Sequence, residues 1–510
     1  MHKIPTLDIN HASIPWEDLD GQFIIGQGDF LVPPFWKTST LGCITVATEP
    51  RLPTTTVALK GQPVALFLGW PMHPEWGSLN QLDNLGGHVT HLDHHPDFEK
   101  FLNCLSGRFV ALYAQGQDRR FYLDAAGSMA AVYCPSQQLL ASTPLLIPQT
   151  PDTALDADLV ETFGIPYRDA WYPFGLTNRS GVHRLLPNHY LELATWTAVR
   201  HWPLANIPET TDIDLAVEEI ADLLKRCIKH AVAAHGGLLA LTAGRDSRML
   251  LACARKYIGA IRVFTAECDW AGYNGAVDID TAQHISKKLH INHTVLPFQL
   301  PSQRDYQMWL HRTGNCVGEV FGLRNIRTMN LLDKMDGVYL CGGAAEVGRC
   351  YYWHKSDLRR TDIDIQTLLR RMHVPAISQV VSAGDRWLAG LPQGNAVQTL
   401  DLAYLEQRLG CWGGAVSYAD IPLKRVHPFA QRRIFELMLG LPKEFRFKQA
   451  LAERVIALEW SDLLAFPFNE PIGLKVRLWQ QWLRIKRLCR RRVSQLLSRT
   501  PFLWRYNPGR

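Results

Sequence analysis

The 510-residue chain, 47% hydrophobic and 20% charged, has the composition of an ordinary soluble globular protein with room for two or more domains. Its net charge of +6 is a property of the tail: Leu474 to Arg510 holds 11 Lys and Arg and no Asp or Glu, and subtracting those 11 from +6 leaves −5 for the rest. A mildly acidic body speaks against nucleic-acid binding by the whole protein, so no nucleic acid is expected as a partner. The 11 cysteines are scattered without a C-x-x-C pair, which indicates neither a zinc site nor a disulfide framework. Met1–Pro5 lacks the apolar stretch of a signal peptide, and no apolar run is long enough to cross a bilayer. A reducing cytoplasm is the expected location.

In chain order, residues 1–205 read as a β-rich first domain. Gln22–Ile25 and Pro63–Leu68 are short β-like runs punctuated by Pro and Gly. Leu105–Tyr113, Arg120–Leu123 leading to Val132-Tyr133, and Leu139–Ala141 follow as strands with turns between them, the pattern of a meander. Thr177–Tyr190 closes the segment.

Residues 206–473 read as an α/β domain. Asp212–Leu224 has apolar residues at helical spacing. Leu238–Leu241 is apolar and short enough to be a buried strand. Thr242-Ala243-Gly244-Arg245-Asp246-Ser247 follows, and Met249–Ala254 reads as helix. A strand, a tight turn of small residues and a helix start make an anion cradle, because free backbone N–H groups face a phosphate that only small side chains allow close. Asp246 beside phosphates suggests Mg²⁺. Without a Gly-Lys-Ser/Thr ending this is no Walker loop, and an ordinary βα turn containing Gly and Asp remains open. Ile261–Ala266 is the next strand, Asp278–Leu289 a helix and His293–Leu296 a strand, the alternation of a parallel sheet covered on both faces. Ligands on such sheets sit at the carboxyl ends of the strands, where the Thr242–Ser247 loop lies. Val338–Arg349 is a second candidate: a strand runs into Gly342 and Gly343, then Glu346 and Arg349. Arg349 could face phosphate through its planar fork, although a Gly-rich surface loop would read the same. Further on come Ile421–Phe429 and Leu441–Leu451, the latter containing Lys448.

The order of these motifs resembles the asparagine synthetase superfamily over roughly residues 100–465. Thr242–Ser247 is similar to the Ser-Gly-Gly-x-Asp-Ser loop of PP-loop ATP pyrophosphatases, with Thr242 for Ser and Ala243 for the first Gly. Leu105–Leu145 and Thr177–Tyr190 resemble the glutaminase half of asparagine synthetases; an unrelated all-β domain is the alternative. Asp278–Leu296 resembles an Asp-x-x-x-Ala…His stretch, and Cys341–Glu346 resembles Gly-x-Gly-x-Asp-Glu with Ala345 in place of Asp. The Ile421–Leu451 region resembles Glu-x-Arg-x-Pro-Phe-Leu-Asp and Lys-x-x-Leu-Arg, with Lys448 on the Lys and Ala452 where the Arg would be.

The resemblance implies a glutaminase-like (Ntn-type) β-rich sandwich domain followed by a PP-loop ATP pyrophosphatase domain. It implies ATP and Mg²⁺ as cofactors. ATP would be held by Leu241, Thr242, Ala243, Gly244, Asp246, Ser247, Thr265 and Gly343, the metal by Asp246, and Lys448, Glu346 and Arg349 would be catalytic. A lysine beside the α-phosphate stabilises charge that develops as an acyl-adenylate forms or collapses. The family's glutaminase uses an N-terminal Cys exposed by removal of Met1; here position 2 is His2 and the first cysteine is Cys43. The implied activity is therefore ATP-dependent amide-bond formation without glutaminase activity: a substrate carboxylate is adenylated and attacked by an amine. The substrate is a small molecule or peptide carrying a carboxylate and an amine, as in β-lactam synthetases and lasso-peptide cyclases. The loss of residues at Ala243 and Ala345 leaves a catalytically inactive scaffold or binding protein as the alternative.

Residues 474–510 resemble nothing in that family. Leu474, Leu478, Trp482, Ile485 and Leu488 recur at helical spacing among arginines, as in a basic amphipathic helix. Such a tail suits an anionic membrane surface or an acidic partner, and equally a helix docked by its apolar side.

Overall fold

The computed structural model describes residues 16–81, 92, 94–233, 235–268, 275–318, 320–419, 424–474 and 478. The His2 position and the tail helix, apart from the exposed Leu474 and Leu478, lie outside the described residues. The fold is mixed α/β, with two antiparallel sheets in the first part of the chain and a parallel sheet with helices in the second. No described helix is long and apolar enough to cross a membrane.

The antiparallel part contains β1 (Phe23–Gln27), β2 (Lys37–Leu41), β3 (Ile44–Thr48), β4 (Thr54–Leu59), β5 (Gln62–His73), β6 (Gly77–Ser78), β7 (Ser106–Gln115), β8 (Asp118–Leu123), β9 (Val132–Cys134), β10 (Leu139–Ala141), β11 (Ala170–Trp171), β12 (His183–Arg184), β13 (His189–Glu192) and β14 (Thr197–Arg200). One sheet runs β12-β9-β10-β1-β3-β2. The other runs β14-β13-β8-β7-β5-β4, with β6 on β5. Alternation along the strands builds the layers. Val110 and Leu112 of β7 meet Phe23 and Ile25 of β1 in the space between the sheets. The intervening Phe109, Ala111 and Tyr113 pack outward with Phe98 of the helix His95–Cys104.

The expected meander is two hairpins in facing sheets. The β7–β8 pair lies in one sheet and the β9–β10 pair in the other. The side chain of Asp124 diverts the chain between them. Its carboxylate accepts the N–H of Ala126 at 3.0 Å, of Ser128 at 3.0 Å and of Met129 at 3.2 Å, and the Ser128 hydroxyl at 2.7 Å. A buried carboxylate that collects this many donors fixes a turn, and the period-two pattern of the flanking strands carries no sign of it.

The parallel part contains β15 (Gly237–Ala240), β16 (Ile261–Ala266), β17 (His293–Leu296), β18 (Val317–Gly318), β19 (Val338–Leu340) and β20 (Arg425–Val426). Five of these form one sheet in the order β17-β16-β15-β19-β20, every neighbouring pair parallel. The chain leaves β15 to one side for β16 and β17, then returns to the other side for β19. The carboxyl ends of β15 and β19 therefore flank a topological switch point, where crevices open in such sheets.

The two parts share structure. β11 pairs with β18, and one hydrophobic core joins Phe163 and Trp171 to Ile220, Leu251 and Leu400. Glu406 is fully buried. Its carboxylate accepts Arg200 in a two-pronged pair at 2.5 and 2.8 Å, Asn188 at 2.7 Å and the Trp387 indole at 2.6 Å. A buried charge is tolerated when it is paired and hydrogen-bonded this completely.

Candidate active site at the switch point

The loop after β15 is tied down by its own side chains. The Ser247 hydroxyl accepts the Thr242 N–H at 3.2 Å and lies 2.8 Å from the Thr242 hydroxyl, which accepts the Gly244 N–H at 3.1 Å. Gly244 is the N-cap of the helix Arg245–Cys253 and supplies no side-chain cap. The first helical N–H groups thus face the loop with the favourable end of the helix dipole. A Cβ at Gly244 would stand 3.1 Å from the Thr242 hydroxyl, closer than most side chains tolerate.

Arg248, fully buried on the same helix, clamps the loop from behind. It donates to the carbonyls of Ala243 and Phe466, each at 2.7 Å, and to that of Pro467. Asn469 N–H adds a bond to the Ala243 carbonyl at 2.9 Å. The rings and cations stack here too: Phe468 lies 4.2 Å from the Arg248 guanidinium and 4.5 Å from that of Arg245.

Asp246 and the loop after β19 meet across the switch point. Cys341–Ala344 turns through Ala344, whose φ is +76°, into a 3₁₀ turn at Ala345–Gly348. That turn carries Glu346 and delivers Arg349, whose guanidinium pairs with the Asp246 carboxylate and lies 3.5 Å from Glu346 Oε1. Burial, and then the charge of Glu346, push the Asp246 carboxyl up to about 7 against the opposing pull of Arg349 and Arg245. Glu346 Oε2 and Arg349 Nε are buried without a hydrogen-bond partner among the described residues. The crevice between Asp246, Arg349 and the Gln449–Ala452 stretch encloses about 10 Å³.

The structure therefore gathers Thr242, Ala243, Gly244, Asp246, Ser247, Glu346 and Arg349 at one place. Leu241 and Ala243 are buried, and the Leu241 N–H is given to the Phe264 carbonyl of the neighbouring strand at 2.8 Å. Thr265 is buried at the end of β16, with its hydroxyl donated to the Leu241 carbonyl at 2.7 Å and 2.8 Å from His293 Nε2. That hydroxyl serves the sheet. Gly343 stands on the other side of its loop, against His427. Lys448 is exposed at the end of the helix Lys443–Phe447, next to Gln449 of the crevice wall.

Two residues outside the sequence-derived set matter here. Asp278 accepts the Ala243 N–H at 2.7 Å; its signal was its place at the head of the Asp278–Leu289 stretch. Arg248 had none, because a buried arginine in a short helix looks like any surface arginine in sequence.

No protein-family model and no curated protein matches the chain. Among solved structures it is similar to an NH3-dependent NAD synthetase from Campylobacter jejuni subsp. jejuni NCTC 11168 in complex with the nitrate ion, at 9% identity and a TM-score of 0.19, over 28% of this chain and 62% of that one. It thus spans less than two thirds of that protein. It is also similar to an NMN synthetase from Francisella tularensis, at 16% identity and a TM-score of 0.20, over 38% of this chain and 87% of that one. Likenesses of this degree bear no weight for the site.

Proposed function

We propose that the protein is an ATP-dependent ligase that adenylates a substrate carboxylate and passes the acyl group to an amine, without glutaminase activity. The supporting observation is the meeting of an anion-cradle loop after β15 with Asp246, Glu346 and Arg349 at the switch point of a parallel sheet. In the first step a carboxylate oxygen bonds to the α-phosphorus and pyrophosphate leaves with the electron pair of the broken P–O bond. In the second the amine nitrogen bonds to the acyl carbon, AMP leaves with its oxygen's electron pair, and the nitrogen gives up a proton. The helix start faces phosphate charge, joined by the Ala243 N–H once Asp278 gives way; Arg349, and Lys448 from beside the crevice wall, supply cations; and Glu346 is the acid–base group beside the acyl position.

The residues suit a Mg²⁺ carried in with the nucleotide. No group of three His, Cys, Asp or Glu gathers at one point among the described residues, whereas Asp246 offers a carboxylate of the kind that Mg²⁺ takes alongside phosphates. When bound, the ion neutralises phosphate charge.

A second reading, a scaffold without turnover, is supported by the closed state of the loop. Asp278 occupies the Ala243 amide, Arg349 occupies Asp246 and the crevice holds about 10 Å³. Calorimetry with ATP and Mg²⁺ separates the two. Saturable binding lost in Asp246→Asn supports the ligase reading, and absence of binding by the wild type overturns it. Release of glutamate from glutamine by the purified protein, above a protein-free control, would refute the lack of glutaminase activity.

A further inference from the structure

A second space lies near the crevice. Between the antiparallel and parallel parts is a cavity of about 260 Å³ lined in part by Glu346, whose Oε1 lies 3.5 Å from Arg349 of the crevice wall. Ser128, from the Asp124 turn, closes one wall; Tyr404 and Trp412 form another; Arg425 and His427, at the end of β20, form a third. Its lining is mainly apolar with a few polar groups, as small-molecule sites are, and it is smaller than the roughly 300–1,000 Å³ of sites for drug-sized ligands.

Three independent features mark this cavity as built for a ligand. Tyr404–Gly413 is wound as a π-helix of ten residues; such windings are rare, usually a single turn, and frequent at functional sites. Glycines let it and the turn after it pack closely on the antiparallel part: a Cβ at Gly410 would meet Pro187 at 2.3 Å, and one at Gly414 would meet the Gly127 carbonyl at 2.7 Å. Second, two buried polar atoms in the wall, Glu346 Oε2 and His427 Nε2, have no hydrogen-bond partner among the described residues. Such atoms destabilise a fold when left unmet. Third, charge is divided across the space. Glu346 is an acid in its lining and Arg425 a buried cation in the wall formed with His427. His427 is held neutral by burial and by Arg425 and Arg108, so it acts as a hydrogen-bonding group.

We propose that this cavity binds the amine-bearing reactant, and that this reactant is a compact zwitterionic amino acid with an apolar side chain. Its ammonium faces Glu346, its carboxylate faces Arg425 and His427, and its side chain lies against Trp412 and Tyr404. That places the amine at the end of the cavity next to Asp246 and Arg349. The assignment of this amino acid as reactant rests on the ligase reading; its binding does not.

The test is calorimetry on the full chain without nucleotide. The probes are L-leucine, L-phenylalanine and L-tryptophan, with phenethylamine and 3-phenylpropionate as versions lacking one charge. Saturable binding of at least one amino acid is expected, with the one-charge probes about tenfold weaker or worse. Arg425→Met and Trp412→Ala should each weaken it about tenfold, with the melting temperature read alongside; if one variant fails to fold, the other decides. Saturation by none of the three up to about 10 mM, equal binding of a one-charge probe, or unchanged affinity in a folded variant overturns the proposal. ATP is titrated separately into the same protein. ATP binding without amino-acid binding sinks only the cavity assignment. Amino-acid binding without ATP binding sinks only the ligase reading.

Discussion

The carboxylate of Asp278 accepts the backbone N–H of Ala243 at 2.7 Å. An acid from a separate helix thus rests on the loop at the amide to which the proposed function assigns a phosphate oxygen. It makes the same kind of bond a phosphate would make, so the two compete. Asp278→Asn keeps the size and removes the charge. Its expected effect is a rise of about tenfold in affinity for inorganic pyrophosphate, the change that corresponds to about 1.4 kcal/mol. A fall in affinity, measured by calorimetry, would show that Asp278 shapes the loop and does not compete for it.

Under the proposed ligase function, the Asp246 carboxyl, pushed up to about 7 by burial and Glu346, ties nucleotide binding to pH. A carboxylate that must be ionised to meet Mg²⁺ gives affinity that climbs from pH 6 to pH 8, in steps of up to about tenfold per unit, and then levels off. Glu346→Gln removes the like charge and should move the midpoint down; Arg349→Gln removes the cation and should move it up. Binding that ignores pH across this range refutes the role of Asp246.

The same group sets a trend in stability. Its folded value lies above that of an unfolded aspartate, so the folded state binds the extra proton between the two. The associated stability is present in full below the unfolded value, near 4, and is lost as pH rises through about 7. Between pH 5.5 and pH 8 the loss is on the order of 2 kcal/mol, since about 1.5 units of that interval lie below the folded value and each is worth about 1.4 kcal/mol. Urea unfolding of wild type and Asp246→Ala at pH 5.5 and pH 8 measures it; equal pH dependence in both would refute it.

Arg248→Met removes three donors from buried carbonyls while keeping a similar length of apolar side chain. The cost is about 2–4 kcal/mol. The strand should survive, but the hold on the Phe466–Asn469 segment should not. Limited proteolysis is expected to cut near that segment in the variant and to spare it in wild type.

For the tail, the sequence supports sedimentation with anionic vesicles that salt reduces without abolishing. Each basic residue near the surface contributes about 1 kcal/mol that salt screens, while the tryptophans and leucines add a part that salt leaves. Deletion of residues 474–510 should abolish it and leave ATP binding intact. Failure of the full chain to sediment at low salt refutes the membrane role.

Much of the sheet was legible because a buried parallel strand is a short apolar run between turns. Ile261–Ala266 and His293–Leu296 are strands over the residues expected of them. The loop was legible because small residues before a helix leave few conformational options. What escaped were relations set by tertiary contact. A period-two pattern does not say which sheet a strand joins, so it gave no sign that the Asp124 turn carries the chain into the facing sheet. The π-helix was hidden as well: Tyr404–Gly413 has a pattern that an α-helix would share, and its widening depends on what it packs against. Nor could spacing show that Asp246 and Arg349, 103 residues apart, form one ion pair.

Glu406 has a consequence for what can be removed from this protein. Its carboxylate belongs to the C-terminal part, and two of its partners, Arg200 and Asn188, to the N-terminal part. Separation of the chain near residue 205 would strand a charge on each fragment and open the shared core, which makes unfolding of the two parts a single event. The antiparallel part is in this sense a wall. Whatever chemistry it performs or lacks, substitutions on the side that meets the parallel part are constrained by the neighbour it supports.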